Sequence, residues 1–149
     1  MKANVSPLKL LNFYMLENHF RFEEPEKDVK NVLELFDKYE IEIDFSHFTL
    51  ENDFFEAHVK VQVNADQKHK GYVLAASGYG VFKLYEHSEM EEGVKDNLKG
   101  FSSVSIGINC IRNLFSTSTA NAPMGRYILP AIDIQSLFRD KEGQQTKAS

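Results

Sequence analysis

A chain of 149 residues, 42% hydrophobic and 26% charged, has the size and balance of one domain with a single core, and its formal net charge of −5 disfavours nucleic acid and anionic membrane as partners. Its one cysteine, Cys110, excludes an intramolecular disulfide. No stretch approaches the ~20 apolar residues of a membrane helix, and the opening MKANVSPLKLL has no apolar core ahead of a small-residue cleavage site, so a cytoplasmic location is expected.

Residues 8 to 16 and 19 to 24 are rich in large apolar side chains, and Phe20 and Phe22 fall on one side of an extended segment with Arg21 and Glu23 on the other, predicting N-terminal strand structure. After Pro25, the spacing of Val29, Val32, Leu33 and Phe36 predicts a short helix. Strict alternation returns at 41 to 45 and at 55 to 65, where Phe55, Ala57, Val59, Val61, Val63 and Ala65 share a face, so these two segments are expected to pair as antiparallel neighbours. The run DQKHK reads as a turn, and residues 72 to 76 and 80 to 85 as a further strand. Gly78-Tyr79-Gly80 between them lacks the third glycine of a dinucleotide loop and the Gly-Lys-Ser/Thr of a Walker loop, which leaves a kink in a strand with Phe82 facing either core or groove.

The period then changes. Met90, Val94, Leu98, Phe101, Val104, Ile108, Ile111 and Phe115 step by three and four, the stripe of one long helix, with Ser88 and Glu91 as a capping box. Gly100 and Gly107 inside it mark bends or a close approach to another helix. The helix is expected to stop between Thr117 and Pro123, and Asp133 to cap a last helix carrying Ile134, Leu137 and Phe138. Residues 141 to 149 are read as a disordered tail behind a single domain of residues 1 to 140. Strands followed by helices make an α+β order.

Histidines 19, 47, 58, 69 and 87 lack metal-ligand spacing, and Cys110 lies among apolar helix positions where an inert thiol is the usual case, so neither metal nor cofactor is expected. An enzyme using His58 or His47 with nearby acids as a general base would need a site the sequence does not present. The 12 Phe and 6 Tyr exceed what a two-layer core absorbs, which favours binding through an aromatic groove or interface over catalysis.

The stretches FRFEEP (20 to 25), IEIDF (41 to 45), VKVQVNA (59 to 65), GVFKL (80 to 84) and LKGF (98 to 101), then Pro130 and IQSLF (134 to 138), resemble in order and spacing the SecB protein-export chaperone family over roughly residues 8 to 140. The resemblance implies a four-stranded antiparallel sheet packed by a long helix and a short C-terminal helix, assembled as a dimer of dimers. It also implies an ATP-independent holdase that binds unfolded polypeptides, without a cofactor, and hands exported ones to the SecA motor. On it, Phe36, Tyr39, Phe48, Tyr127, Leu129 and Phe138 are the expected client groove, Glu23 and Val73 the SecA-docking residues, and Leu98, Phe101 and Ile108 the oligomer interface. His19 and Ala75 stand where the family carries acids, Ser103 and Ile108 where well-known members carry prolines, and ANAPMGRYILP (120 to 130) departs from the family's loop. Weaker attraction to a basic SecA segment is therefore expected. A chaperone dedicated to one partner, such as an antitoxin, is the alternative within the same fold.

Overall fold

The computed structural model describes every residue except Ser88. Strands β1 (Leu8–Glu23), β2 (Ile41–Thr49), β3 (Phe54–Val63) and β4 (Gly71–Leu84) form one antiparallel sheet in the order β1-β4-β3-β2, with β2 and β3 paired as their alternation predicts. Buried and half-buried residues alternate along almost all of β3 and β4, so the even-numbered side chains of β4 and the odd-numbered ones of β3 make the helix-covered face. β3 ends at Val63 because Asn64 takes a left-handed conformation (φ 55°), from which its buried amide donates to the carbonyls of His69 (2.6 Å) and Tyr72 (2.8 Å) and closes the hairpin. Asn52 and Asp53, with φ 58° and 63°, turn the β2–β3 hairpin in the same way, and β2 extends past the predicted end at Phe45 to meet that turn.

The two predicted N-terminal segments are one strand of 16 residues. Bulges between Leu10 and Asn12 and between Met15 and Glu17 reset the alternation, so that Leu8, Leu10, Phe13, Met15, Phe20 and Phe22 all reach the helix side. The irregularity expected in the Gly-Tyr-Gly element thus lies in β1, since β4 keeps unbroken register with β3. The glycines make room for rings: a Cβ on Gly78 would stand 2.6 Å from Phe13 Cζ, and one on Gly80 2.5 Å from Phe82 Cε2. Phe82 is fully buried, stacked on Phe55 at 5.3 Å, and so belongs to the core.

The short helix α1 (Val32–Asp37) begins later than its apolar spacing suggests because Asn31 caps it, accepting from the N–H groups of Leu33 and Glu34. The long helix is α2 (Glu92–Asn97), a π-helical turn (Leu98–Ser102) and α3 (Ser103–Thr119) end to end. The capping box lies partly outside the described residues, at Ser88, and Glu91 starts the helix without a side-chain bond. The predicted stripe is buried only in α3, at Val104, Ile108, Ile111 and Phe115, which pack on Val59, Val61, Leu74 and Ala76. Upstream, across the wider π turn, the stripe is less covered: Val94 is exposed, while Leu98 packs half-buried against the cluster of Leu8, Phe55, Phe82 and Leu84, and Phe101 is half-buried.

From α3 the chain returns along residues 125 to 130, strapped down by Arg112, which donates to the carbonyls of Leu129 (2.7 Å) and Pro130 (2.9 Å). Asp133 caps α4 (Ile134–Ala148), its Oδ1 accepting from Ser136 N–H at 3.1 Å. The segment from 141 onward, expected to be a disordered tail, continues this helix. Its lysines, glutamines and alanine favour helix, and Lys141 ties it to β2 through Asp44 Oδ1 at 2.9 Å.

Candidate functional site

β2 is a sheet edge, and in an antiparallel pair alternate residues turn both backbone groups toward their neighbour or away from it. Leu50 N–H bonds to Phe54 and the Glu40 carbonyl accepts from Asn64, so even positions face β3. The N–H and C=O groups of Ile41, Ile43, Phe45, His47 and Thr49 therefore point outward. Their side chains lie on the helix-covered face, beneath α4 at one end and the π turn at the other.

Three hollows follow this edge in sequence. The first, about 480 Å³, lies between Ile41, Ile43, Phe45 and Leu137. A second of about 300 Å³ opens between Phe45, His47 and Phe138, and a third of about 340 Å³ lies among Phe48, Leu50, Phe54 and Phe55 beside Gly100. The floor is aromatic: Phe138 stacks on Phe45 (4.3 Å between centroids) and packs on Phe101 (4.4 Å). The nine residues of β2 give the groove a length of roughly 30 Å, that of an extended segment of similar size. Acidic side chains rim it, with Glu42, Asp44, Asp140 and Glu142 against Lys60 and Lys141.

His47 joins the edge to the π turn. Ser103 Oγ donates to the carbonyls of Lys99 and Gly100, so it accepts from His47 Nε2–H at 3.0 Å, which sets the tautomer. Although the outer side of the ring is open, burial of that inner nitrogen holds His47 below the usual histidine pKa, helped by the nearby Lys141 charge and opposed by the backbone of Gly100 and Lys99.

The structure divides the six groove candidates. Phe138 stands on this groove, whereas Phe48, 51% exposed, borders its third hollow near the β2–β3 turn with its ring against His58 on the other face of the sheet. Tyr39, Tyr127 and Leu129 are core, none more than 5% exposed. Tyr39 Oη accepts the N–H of Tyr72 (2.9 Å), while the strap that positions Leu129 brings Tyr127 N–H to Thr119 Oγ1 (2.8 Å). Burial pushes the Tyr127 hydroxyl pKa well above the usual tyrosine value. Phe36 closes the top of this cluster against Tyr72 (5.4 Å) and Tyr127 (5.2 Å). Of the interface candidates, Ile108 is 2% exposed and faces the sheet, so it offers no surface to a second chain, whereas Leu98 and Phe101 are half-buried. Sequence reasoning missed the groove's own lining, Ile41, Ile43, Phe45 and Leu137, because their alternation reads equally well as core.

On the opposite, helix-free face, Glu23, Val73, His19 and Ala75 form one contiguous patch, with His19 directly opposite Ala75. An aromatic row crosses the same face: Tyr14 on Tyr79 (5.3 Å), Tyr79 on His58 (4.7 Å) and His58 against Phe48 (4.9 Å). His58 bonds Glu56 at 2.7 Å, but this histidine–carboxylate pair lies between the rings on an open sheet rather than in a pocket. Burial raises the Cys110 pKa and keeps it a thiol. Among the described residues no three His, Cys, Asp or Glu side chains converge to hold a metal, and no helix is long and apolar enough to cross a membrane.

No protein-family model matches this chain, and no curated protein matches it in sequence. Among solved structures, it is similar to a SecB-like chaperone from Mycobacterium tuberculosis determined in complex with a ChAD peptide from an antitoxin, with a TM-score of 0.58 and 10% identity over 84% of this chain and 90% of that one. A protein of unknown function from Streptococcus agalactiae superposes with a TM-score of 0.43 and 13% identity over 83% of this chain and 97% of that one. The chain thus has the fold of a SecB-like chaperone, as its sequence resemblance implies.

Proposed function

We propose that this protein is an ATP-independent chaperone that holds extended, non-native polypeptide in the groove along β2, as a non-enzymatic binding protein of the cytoplasm. The observation that carries the reading is the row of three hollows on an exposed sheet edge, each with aromatic or aliphatic walls and charged or polar side chains around them, in a fold shared with a chaperone determined in complex with a peptide. Apolar contact is non-directional and tolerates many sequences, which suits a holdase. The acidic rim keeps the complex soluble and favours basic segments.

Magnitudes favour several grooves acting together. Each buried apolar side chain of a client contributes about 1.5–3 kcal/mol, and three of them barely exceed the ~4 kcal/mol or more that association costs. One groove therefore holds weakly, and a homotetramer gains by avidity. β1 supplies a surface for such assembly: Leu10, Tyr14, Met15, Leu16 and Phe20 are all at least 37% exposed on the sheet's other edge. Leu98 and Phe101 remain candidates for the second contact.

The test is dilution of a chemically denatured client into buffer without nucleotide. Suppressed aggregation at stoichiometric amounts is expected, and unchanged aggregation overturns the reading.

Dedication to one client, such as an antitoxin, is the second reading, favoured by the antitoxin peptide in the similar M. tuberculosis structure. Transfer of preproteins to SecA would use the Glu23 and Val73 patch, with His19 and Ala75 weakening it. Pull-down from native lysate separates the two: SecA recovered by the wild type and lost on Glu23→Arg supports export, and a single antitoxin-like protein supports dedication.

A further inference from the structure

At the middle of the β2 edge, both outward backbone groups are already engaged. Phe45 N–H donates to Asp44 Oδ1 (2.9 Å), the Phe45 carbonyl accepts from Lys141 Nζ, and Lys141 closes the loop on Asp44 Oδ1 (2.9 Å) with its ammonium 4.5 Å over the Phe45 ring. An incoming strand needs those same two groups. We propose that the free edge of β2 takes up an extended client segment as an added strand, and that the Asp44–Lys141 pair is a bracket that must open for it.

The inference rests on the chaperone reading and specifies how the groove holds its client. Three features of the bracket support it. It sits at the centre of the outward row running from Ile41 to Thr49, so it blocks pairing on either side at once. It is weak, because the Asp44 side chain is 80% exposed and water competes for it. Its release also changes the charge of the groove. With Lys141 withdrawn, Glu42, Asp44, Asp140 and Glu142 outnumber Lys60 along the first two hollows, so a client lysine can take the place of Lys141 on Asp44. The occupant is therefore an extended segment alternating apolar with basic or polar residues, its apolar side chains entering the three hollows. A lysine on an exposed edge also guards against sheets joining edge to edge, which makes a second copy of this chain the rival occupant.

A fluorescein-labelled synthetic peptide of about ten residues, alternating Val or Phe with Lys or Thr, is titrated into the full chain beside a copy N-methylated at alternate amides, which keeps the side chains and removes strand pairing. The unmodified peptide is expected to bind and to slow exchange of the Ile43, Phe45 and His47 amides, while the methylated copy loses at least tenfold in affinity. Lys141→Met, which leaves a helix-favouring side chain over Phe45, is expected to tighten the unmodified peptide about three- to fivefold, the gain available from releasing a weak closed state. Exchange of the Val59 and Val61 amides reports that the variant is folded.

Equal binding of both peptides with unprotected β2 amides overturns strand addition and leaves the chaperone reading standing. Unchanged affinity in Lys141→Met overturns the bracket, as does self-association of that variant in light scattering without tighter peptide binding. If neither peptide binds while aggregation is still suppressed, the edge site falls alone; if aggregation is not suppressed either, the chaperone reading falls with it.

Discussion

Gly107 of α3 rests on Val59 of β3 so closely that a Cβ on the glycine would stand 2.8 Å from Val59 Cγ2. The close approach anticipated for this glycine is therefore to a strand, and it sets how near the long helix lies to the sheet. Gly107→Ala sets about 1 kcal/mol of helix propensity against about 1–3 kcal/mol of overpacking on a β-branched side chain that has little freedom to move. The expected outcome is a net loss of roughly 1 kcal/mol in urea unfolding. In a Val59→Ala background, where the space is vacated, the same substitution is expected to stabilise. Losses that simply add would show that the two side chains do not meet.

The aromatic candidates separate into those that bind and those that hold the fold. Phe48→Ala removes a ring that is 51% exposed, so stability is expected to stay within about 0.5 kcal/mol while affinity for a denatured client falls about three- to tenfold. Leu129→Ala opens a cavity beside α3 and is expected to lose about 2–5 kcal/mol of stability with no specific loss of affinity at temperatures where it stays folded. Paired urea titrations and client-binding curves on the two variants check this. Equal effects on both quantities would refute the division.

The same division shows what was legible in the sequence. Period-two runs such as 55 to 65 and the period-3.6 run from Val104 to Phe115 name their elements because one face must be buried. Strand order is not written in such patterns, so Ile41, Ile43 and Phe45 could not be told from the core strand they pair with. Only the topology makes β2 an edge and its apolar face a groove wall. Bulges hid the unity of β1 for a related reason: Leu11 and Leu16 each shift the alternation by one residue. Tyr39 and Tyr127 were misplaced because a tyrosine reads as amphipathic, whereas here the Tyr39 hydroxyl has a backbone partner inside the core. The tail from Lys141 onward looked too polar to order, and its anchor, Asp44, lies 97 residues away in the chain.

Stability should depend on pH through His47. Its folded-state pKa is lowered, by burial first, so between the ordinary histidine value near 6.5 and the lower folded value the unfolded chain binds more protons. The His47 contribution is therefore fully present above about pH 6.5 and is lost as pH falls from there through the folded pKa. The slope is expected to be shallow, because the outer side of the ring is open to water. Urea midpoints measured from pH 8 to pH 5 on the wild type and on His47→Gln check the assignment. A variant that keeps the wild-type slope would place its origin elsewhere.

Assembly is the last expectation, and it turns on β1. Leu10 and Met15 reach the helix-covered side of an edge strand where this chain alone leaves them 37% and 51% exposed. The length and apolar character of this edge favour pairing, even with its two bulges, in contrast to β2 with its lysine bracket. Light scattering at micromolar concentration is expected to give four chains for the wild type and a smaller species for Met15→Lys, because a lysine there must bring its charge into the seam. Leu33→Lys, equally apolar and 71% exposed but on α1, is expected to leave the mass unchanged. A monomeric wild type would refute the tetramer. A tetrameric Met15→Lys would instead move the interface from β1 to the half-buried Leu98 and Phe101.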